Sequence, residues 1–414
     1  MSGAIRQAVI LFGGKGTRLG QITRDIPKPM LAIAGDRPFL DYLIEMIERH
    51  GYEDILLLAG HLGDKVAAAY DGKVVGGARL RVFCEPVPLG TAGALTLVRD
   101  VLDPKFVMMN GDTLFDINLR ALERTAQAGG ALATLALREV PDAGRYGRVI
   151  EAGGRIVAFG EKDPTHSGAG VINGGIYVLR REILDLVPKP PCSIEQTIFP
   201  LLVARGQIAG QHFSGYFLDV DLPEALAQGQ LELPLTRQRP AAFLDRDGVI
   251  NVDSGYAHRL EDLVFVPGAP AAVRRLNDLG YYVFVVTNQA GVARGFYGLD
   301  DVHRFNAEIQ RRLAVEGAHI DRFYIAPYHP DGIVPEFAID HLDRKPNPGL
   351  LLKAMADWPV VKDRSFLIGD KESDIEAARR AGVAGHQFHG GDLDAFLSGV
   401  LRGHLGDARS ERRR

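Results

Sequence analysis

Short apolar runs alternate with longer amphipathic stretches along the whole chain. Examples are "AVILF" (8–12), "DILLLAG" (54–60), "FVMMNGD" (106–112), "AAFLDRDG" (241–248), "YYVFVVTNQ" (281–289) and "SFLIGD" (365–370). Strands that are apolar throughout bury both faces, as in parallel sheets covered by helices on each side. The runs lead into Gly, Asn or Asp at their carboxyl ends, where open α/β sheets bind ligands. The pattern restarts after a polar stretch, "AQGQLELPLTRQRP", bracketed by Pro234 and Pro240. We therefore expect two doubly wound α/β domains, 1–231 and 240–414, joined by a linker at 232–239.

Composition adds mainly exclusions. The chain has 414 residues, 46% apolar and 24% charged, with a formal net charge of -4. That balance gives no electrostatic reason to expect nucleic acid or an acidic membrane surface. The basic tail at 408–414 reads as a frayed, disordered end. Cys84 and Cys192 are too few and too far apart for a disulfide framework. No apolar run approaches the ~20 residues that cross a bilayer, and no signal peptide is read. A cytoplasmic protein is the expectation, with the oligomeric state open and a homo-oligomer allowed.

The chemistry begins at "VILFGGKGTRLG" (9–20). Ile10 and Gly16 stand where a Walker P-loop needs glycine and Ser/Thr, and Leu19 stands where the dinucleotide fingerprint needs its third glycine. Gly13, Gly14 and Gly16 still let backbone N–H groups approach an anion closely. Arg18 offers a guanidinium fork, and Lys28, stiffened by Pro27 and Pro29, offers a point charge. Taken alone, a glycine turn beside a surface lysine is common. Further polar loops follow at Gly90, Thr91 and Gly93, at Asp112, at Glu161 and Lys162, at Asn173 and Gly174, and at Asp219 and Asp221. Two carboxylates from distant strand ends suit a hard cation such as Mg2+.

"GGKGTRL", "PKPM", "LGTAGAL", "NGD", "EK", "NGGIYV" and "DVDLPEAL", in that order over residues 5–226, resemble the sugar-1-phosphate nucleotidylyltransferases. Within them, "PKPMLAIAGDRPFLDYLIEMIERHG" is most similar to the heptose- and mannose-1-phosphate guanylyltransferases. The resemblance implies a Rossmann-like mixed sheet, with Leu11, Gly13, Gly14, Gly16, Thr17, Arg18 and Lys28 around the triphosphate. It also implies Gly90 and Thr91 near the base, and Asp112 and Asp219 on Mg2+. Lys162 would hold the sugar phosphate, with Glu161, Asn173 and Gly174 near the sugar. The family pattern D-[VI]-G-T-P reads Asp219-Val220-Asp221-Leu222-Pro223 here, which leaves the loop geometry after Asp219 open.

In the second half, "AAFLDRDGVIN" sets Asp245 and Asp247 two apart after an apolar strand. "VFVVTNQ" ends on Thr287 and Asn288, "DRKPNPG" supplies Arg344 and Lys345, and "FLIGDKESD" supplies Asp370 and Asp374. Together these resemble the haloacid-dehalogenase-type (HAD) phosphatases with a minimal cap. The resemblance implies Asp245 as nucleophile and Asp247 as acid and base. It places Mg2+ among Asp245, the Asp247 backbone carbonyl and Asp370, supported by Asp374. Thr287, Asn288 and Lys345 would hold the phosphoryl group.

"NVDSGY", "TNQAGVARGFYG" and "YHPDGIVPEF" are similar to heptose 1,7-bisphosphate 7-phosphatases, with histidinol-phosphate phosphatase as close kin. Arg294, Arg344 and Lys371 would then meet the second phosphate or the sugar. The zinc loop common in that subfamily maps here to Ala326, Tyr328, His341 and Asp343, so no zinc is expected. The combined expectation is a bifunctional enzyme acting on sugar phosphates and an NTP, with GTP favoured. Two alternatives stand beside it. One is a hexose-1-phosphate nucleotidylyltransferase fused to another small-molecule phosphatase, and the other is a phosphatase carrying a non-catalytic nucleotide-binding module.

Overall fold

A computed structural model of the protein describes every residue except 1–2, Lys15, Arg145, Gly147, 160–167 and 412–414; for Thr17 and 405–411 it describes backbone alone. The chain forms two compact units, Met1–Thr236 and Arg237–Arg414.

The first unit is built on a ten-stranded mixed sheet. Its central strand, Gln7–Phe12, runs parallel to Asp54–Ala59 on one side and Lys105–Asn110 on the other. Gly170–Arg180 then pairs antiparallel with Lys105–Asn110 and with Ala133–Val140. The apolar runs are explained by two cores. Ala8 and Ile10 enter one, while Val9 and Leu11 enter the other, so successive side chains of one strand serve opposite faces.

The second unit has five parallel strands in the spatial order Arg322–Ala326, Tyr282–Asn288, Ala241–Leu244, Phe366–Gly369, Ala384–Gln387. Ala242, Leu244, Val283 and Val285 face one core, and Ala241, Phe243, Tyr282 and Phe284 face the other. Their carboxyl ends lead directly to Asp245, Asn288 and Asp370.

Two expectations need correction. Most of the stretch expected as linker is helical, because Pro223–Thr236 forms one helix with Leu226, Gly229 and Leu233 buried. Its Gln, Glu and Leu are good helix formers, and Pro234, which has no N–H, removes one intrahelical bond near the end of the helix. Of the basic tail, the described backbone to residue 411 continues the final helix, Leu393–Glu411, and 412–414 lie outside the described residues. Leu397, Val400 and Leu401 anchor that helix in the core.

The chain's single tryptophan, Trp358, reports on the second unit alone. Its ring lies 5.0 Å from Tyr282 and 5.5 Å from Phe284, and its Nε1 donates to the Tyr324 hydroxyl at 3.1 Å. Phe284→Ala should therefore cost the second unit about 3–5 kcal/mol. The readout is a lowered denaturant midpoint in Trp358 fluorescence.

Candidate active sites

A cavity of about 410 Å³ opens at the carboxyl ends of the first unit's central strands. Leu11, Gly13, Gly14, Gly16, Arg18, Lys28, Thr91 and Asp112 line it, so most of the residues singled out around the glycine turn converge there. The turn is tight. A Cβ on Gly13 would sit 2.7 Å from the Glu85 carboxylate. Lys28 begins a short helical turn after Pro27 and is only 8% exposed.

Asp112 follows the strand Lys105–Asn110. The ribbon Phe217–Asp219 pairs antiparallel with Thr113–Phe115, setting Asp219 opposite Thr113 and thus beside Asp112. One carboxylate oxygen each from Asp112, Asp219 and Asp221 lies within 4.8 Å of the others.

Lys28 Nζ donates to Asp112 Oδ2 at 2.8 Å and to Asp221 Oδ1. Arg18 donates to Asp221 Oδ2 at 2.7 Å. Burial works against the Lys28 charge, but the Asp112 and Asp221 carboxylates outweigh it and hold the ammonium above its ordinary pKa.

Other expected residues do different work. Gly90, at φ +74°, allows its loop to lie against the Cys192 carbonyl, which a Cβ would approach to 2.6 Å. The Thr91 hydroxyl donates to Glu195 at 2.9 Å and accepts from the Ile194 N–H at 2.7 Å, so it anchors the loop to the following segment. Asn173 donates to the Tyr177 hydroxyl at 2.8 Å and accepts from the Gly175 N–H at 3.0 Å. A Cβ on Gly174 would meet the Phe115 ring at 2.5 Å, which makes that glycine a packing requirement. Glu161 and Lys162 lie outside the described residues.

Two cavity residues are not evident from sequence motifs alone. Asn110 sits within "NGD" and presents a buried Oδ1 with no hydrogen-bond partner among the described residues. Asp221 is visible in the sequence as a loop carboxylate and as a departure from a pattern, but nothing there marks it as the partner of Arg18 and Lys28.

The second unit concentrates charge more tightly. Lys345, fully buried, places Nζ 2.9 Å from Asp245 Oδ1, 2.6 Å from Asp374 Oδ1 and 2.9 Å from the Val286 carbonyl. Three acceptors match the three protons of an ammonium. Asp245, Asp370 and Asp374 bring one oxygen each within 4.8 Å of the others. Asp370 Oδ1 is buried with no hydrogen-bond partner among the described residues. A Cβ on Gly248 would strike the Asp370 carboxylate at 2.5 Å, so glycine keeps this space open. Three carboxylates face the buried Lys345 and the exposed Lys371, which lies 3.8 Å from Asp370, and still leave surplus negative charge, a donor set suited to a divalent cation.

Burial, with Asp374 and Asp247 nearby, outweighs Lys345 and pushes the Asp245 carboxyl up to about 7. Burial also raises the Asp370 carboxyl, against the opposing Lys371 charge.

Asp247 stands apart, and its side chain is not one of the three clustered carboxylates. Arg246 donates to both its oxygens at 3.0–3.1 Å, and Asn251 and Gln289 donate at 2.9 Å each. Gln289 is itself oriented by the Tyr297 hydroxyl, which donates to its Oε1 at 2.9 Å, and by its own bond to Thr287 at 2.8 Å. Arg246 and Gln289 both sit inside the quoted motifs, yet nothing in the motifs marks them as functional. Asn288 exchanges two 3.0 Å bonds with the Lys345 backbone, so its amide helps to position the lysine.

Arg294 approaches His329 at 3.2 Å, and its Nε is buried with no hydrogen-bond partner among the described residues. Burial, and after it the Arg294 charge, lowers the Arg344 pKa. Lys371 lies 3.2 Å from Asp253. In the loop for which no zinc is expected, the Tyr328 and His341 rings stack at 3.9 Å.

Comparison with known proteins bears on both units. Residues 7–234 match the Nucleotidyl transferase family, and residues 342–392 match the HAD-hydrolase-like family. A D-glycero-beta-D-manno-heptose-1,7-bisphosphate 7-phosphatase of Rhodopseudomonas palustris is 47% identical over 164 residues, 40% of this chain and 91% of that protein. A D-glycero-alpha-D-manno-heptose 1-phosphate guanylyltransferase of Campylobacter jejuni is 34% identical over 223 residues, 53% of this chain and 96% of its own. The crystal structure of HddC from Yersinia pseudotuberculosis is 30% identical, with a TM-score of 0.50 over 55% of this chain and all of HddC.

The raised Asp245 pKa has a consequence for stability. Between roughly pH 4 and pH 7 the folded state holds a proton that the unfolded chain releases, so stability falls as pH rises through that window. Asp245→Asn should flatten this dependence and stabilise the second unit most above pH 7. Denaturant midpoints by Trp358 fluorescence at pH 5 and pH 8, in chelator, check it.

Proposed function

The chain belongs to the nucleotidyl transferase family through its first unit and to the HAD-type phosphatases through its second, and on that premise we propose consecutive steps on one heptose. The second unit removes the 7-phosphate of D-glycero-α-D-manno-heptose 1,7-bisphosphate. The first transfers guanylyl from GTP to the resulting heptose 1-phosphate, giving GDP-heptose and pyrophosphate. The observation that carries this reading is a pair of relatives: loss of the 7-phosphate from the α bisphosphate named for the Burkholderia mallei phosphatase leaves the α heptose 1-phosphate named for the guanylyltransferase.

In the phosphatase unit, a carboxylate oxygen of Asp245 attacks the 7-phosphorus, and the bond from phosphorus to the sugar oxygen breaks. Asp247, fixed by Arg246, Asn251 and Gln289, gives the departing oxygen its proton and later takes one from the attacking water. Lys345 balances charge beside the nucleophile. Mg2+ held by Asp245, Asp370 and Asp374 would supply the positive charge that keeps Asp245 ionised and admits a phosphate dianion. Arg294 and Arg344, two close cations, suit the substrate's distant 1-phosphate.

In the transferase unit, the sugar-1-phosphate oxygen attacks the α-phosphorus and pyrophosphate leaves, with no protein nucleophile. Arg18 and Lys28 neutralise the triphosphate while the glycine turn packs against it. Asp112 and Asp219 would hold a second Mg2+.

The relatives of the phosphatase unit are named for both anomers, β in the R. palustris protein and α in one from Burkholderia mallei that is 46% identical over 143 residues. The α form is favoured because the guanylyltransferase relative is named for it. The test supplies each anomer of the bisphosphate with Mg2+ and each of the four NTPs. GDP-heptose from the α anomer with GTP is expected, and no nucleotide-heptose with any NTP overturns the reading. Asp112→Asn should lower transfer at least about 10²-fold while 7-phosphate release continues, measured as pyrophosphate and phosphate on one sample.

A further inference from the structure

The transferase site contains a carboxylate for which the family pattern has no place. Position 221 is Asp where D-[VI]-G-T-P has glycine. One oxygen of Asp221 accepts from Arg18 at 2.7 Å, and the other accepts from Lys28. A single carboxylate thus bridges the two cations that the proposed reaction assigns to the triphosphate. The bridge is built from groups of different depth. The Lys28 side chain is 9% exposed, that of Asp221 28% and that of Arg18 61%. Lys28 keeps Asp112 at 2.8 Å as a second anchor, so its position survives a change of partner at Asp221. Arg18 has no such second carboxylate among the described residues.

Carboxylate and phosphate oxygens present the same charge to a guanidinium or an ammonium at closely similar distances. They therefore compete for these two side chains. We propose that Asp221 is a positioning residue that stands in for a phosphate. It holds Arg18 and Lys28 at the spacing two anionic oxygens require and yields them to the nucleotide, so that binding is an exchange of anions. This inference rests on reading the site as one of nucleotidyl transfer.

The exchange weakens nucleotide binding by the strength of the contact given up. For a partly exposed ion-pair bridge that is roughly fivefold in affinity. The carboxylate thereby sets KM for the NTP without taking part in bond making.

The test uses the full chain, with Mg2+ and α,β-methylene-GTP as an unreactive probe in titration calorimetry. Asp221→Asn should bind the probe roughly fivefold more tightly than the parent chain. KM for GTP should fall by the same factor, with kcat and KM for the sugar phosphate unchanged. Asp221→Gly, which restores the residue of the family pattern, is the second variant and should give the same gain. Matching melting temperatures separate a binding effect from lost structure. On an Arg18→Gln background the gain should shrink, because half of the bridge is gone.

Unchanged or weaker probe binding in both variants overturns the role of Asp221 while leaving the site reading in place, since the parent chain still binds. A full gain that persists without Arg18 also overturns it, in favour of a general charge effect. If the parent chain binds none of the four NTPs, the site reading fails and takes this proposal with it.

Discussion

Each unit depends on a buried lysine ammonium held between carboxylates that arrive from separate segments of the chain. In the second unit Lys345 lies in ion-pair contact with Asp245 and Asp374 and donates to the Val286 carbonyl. In the first, Lys28 lies between Asp112 and Asp221. Burying one charge alone would be prohibitive, and removing one partner of such a group leaves another uncompensated. The surrounding loops are accordingly tied down. Asn288 grips the Lys345 backbone from the neighbouring strand, and the Phe217–Asp219 ribbon locks the acidic loop of the first unit.

The two sites differ in how they balance charge. The second unit leaves three carboxylates around one buried lysine, with the exposed Lys371 3.8 Å from Asp370, and a buried Asp370 oxygen with no hydrogen-bond partner among the described residues. That excess suits a site where a carboxylate must itself attack phosphorus, because a cation can be added to screen it. The first unit has Arg18 as a second cation, and the transfer proposed for it uses no protein nucleophile. Its groups are more exposed, in keeping with a large, multiply charged substrate that supplies much of the electrostatics itself.

Asp247 shows how position is made independent of the acidic cluster. Arg246, Asn251 and Gln289 hold its carboxylate by hydrogen bonds, and Gln289 is held in turn by Tyr297 and Thr287. The two aspartates of one short motif consequently live in different environments. Asp245 is buried against Lys345, and Asp247 is ringed by donors, a separation suited to a nucleophile and an acid–base partner.

Much of this architecture is legible in the amino-acid pattern. Apolar runs without alternation announce strands buried on both faces. The polar residues at their ends announce the sites, because a strand's carboxyl end is where side chains leave the sheet together. Local pattern carries less at the ends of units. The helix at Pro223–Thr236 resembles a linker because so many of its residues are polar, yet Leu226 and Leu233 reach the core. Within the sites, the sequence by itself determined which chemical groups are present and near which turn. Only the tertiary structure decided their partners. Asn288 turns to a lysine backbone, Thr91 to Glu195, and Asp221 to two cations 193 and 203 positions away. Ion pairs and hydrogen bonds over such separations are set by how strands are ordered in a sheet, which no short stretch of sequence encodes.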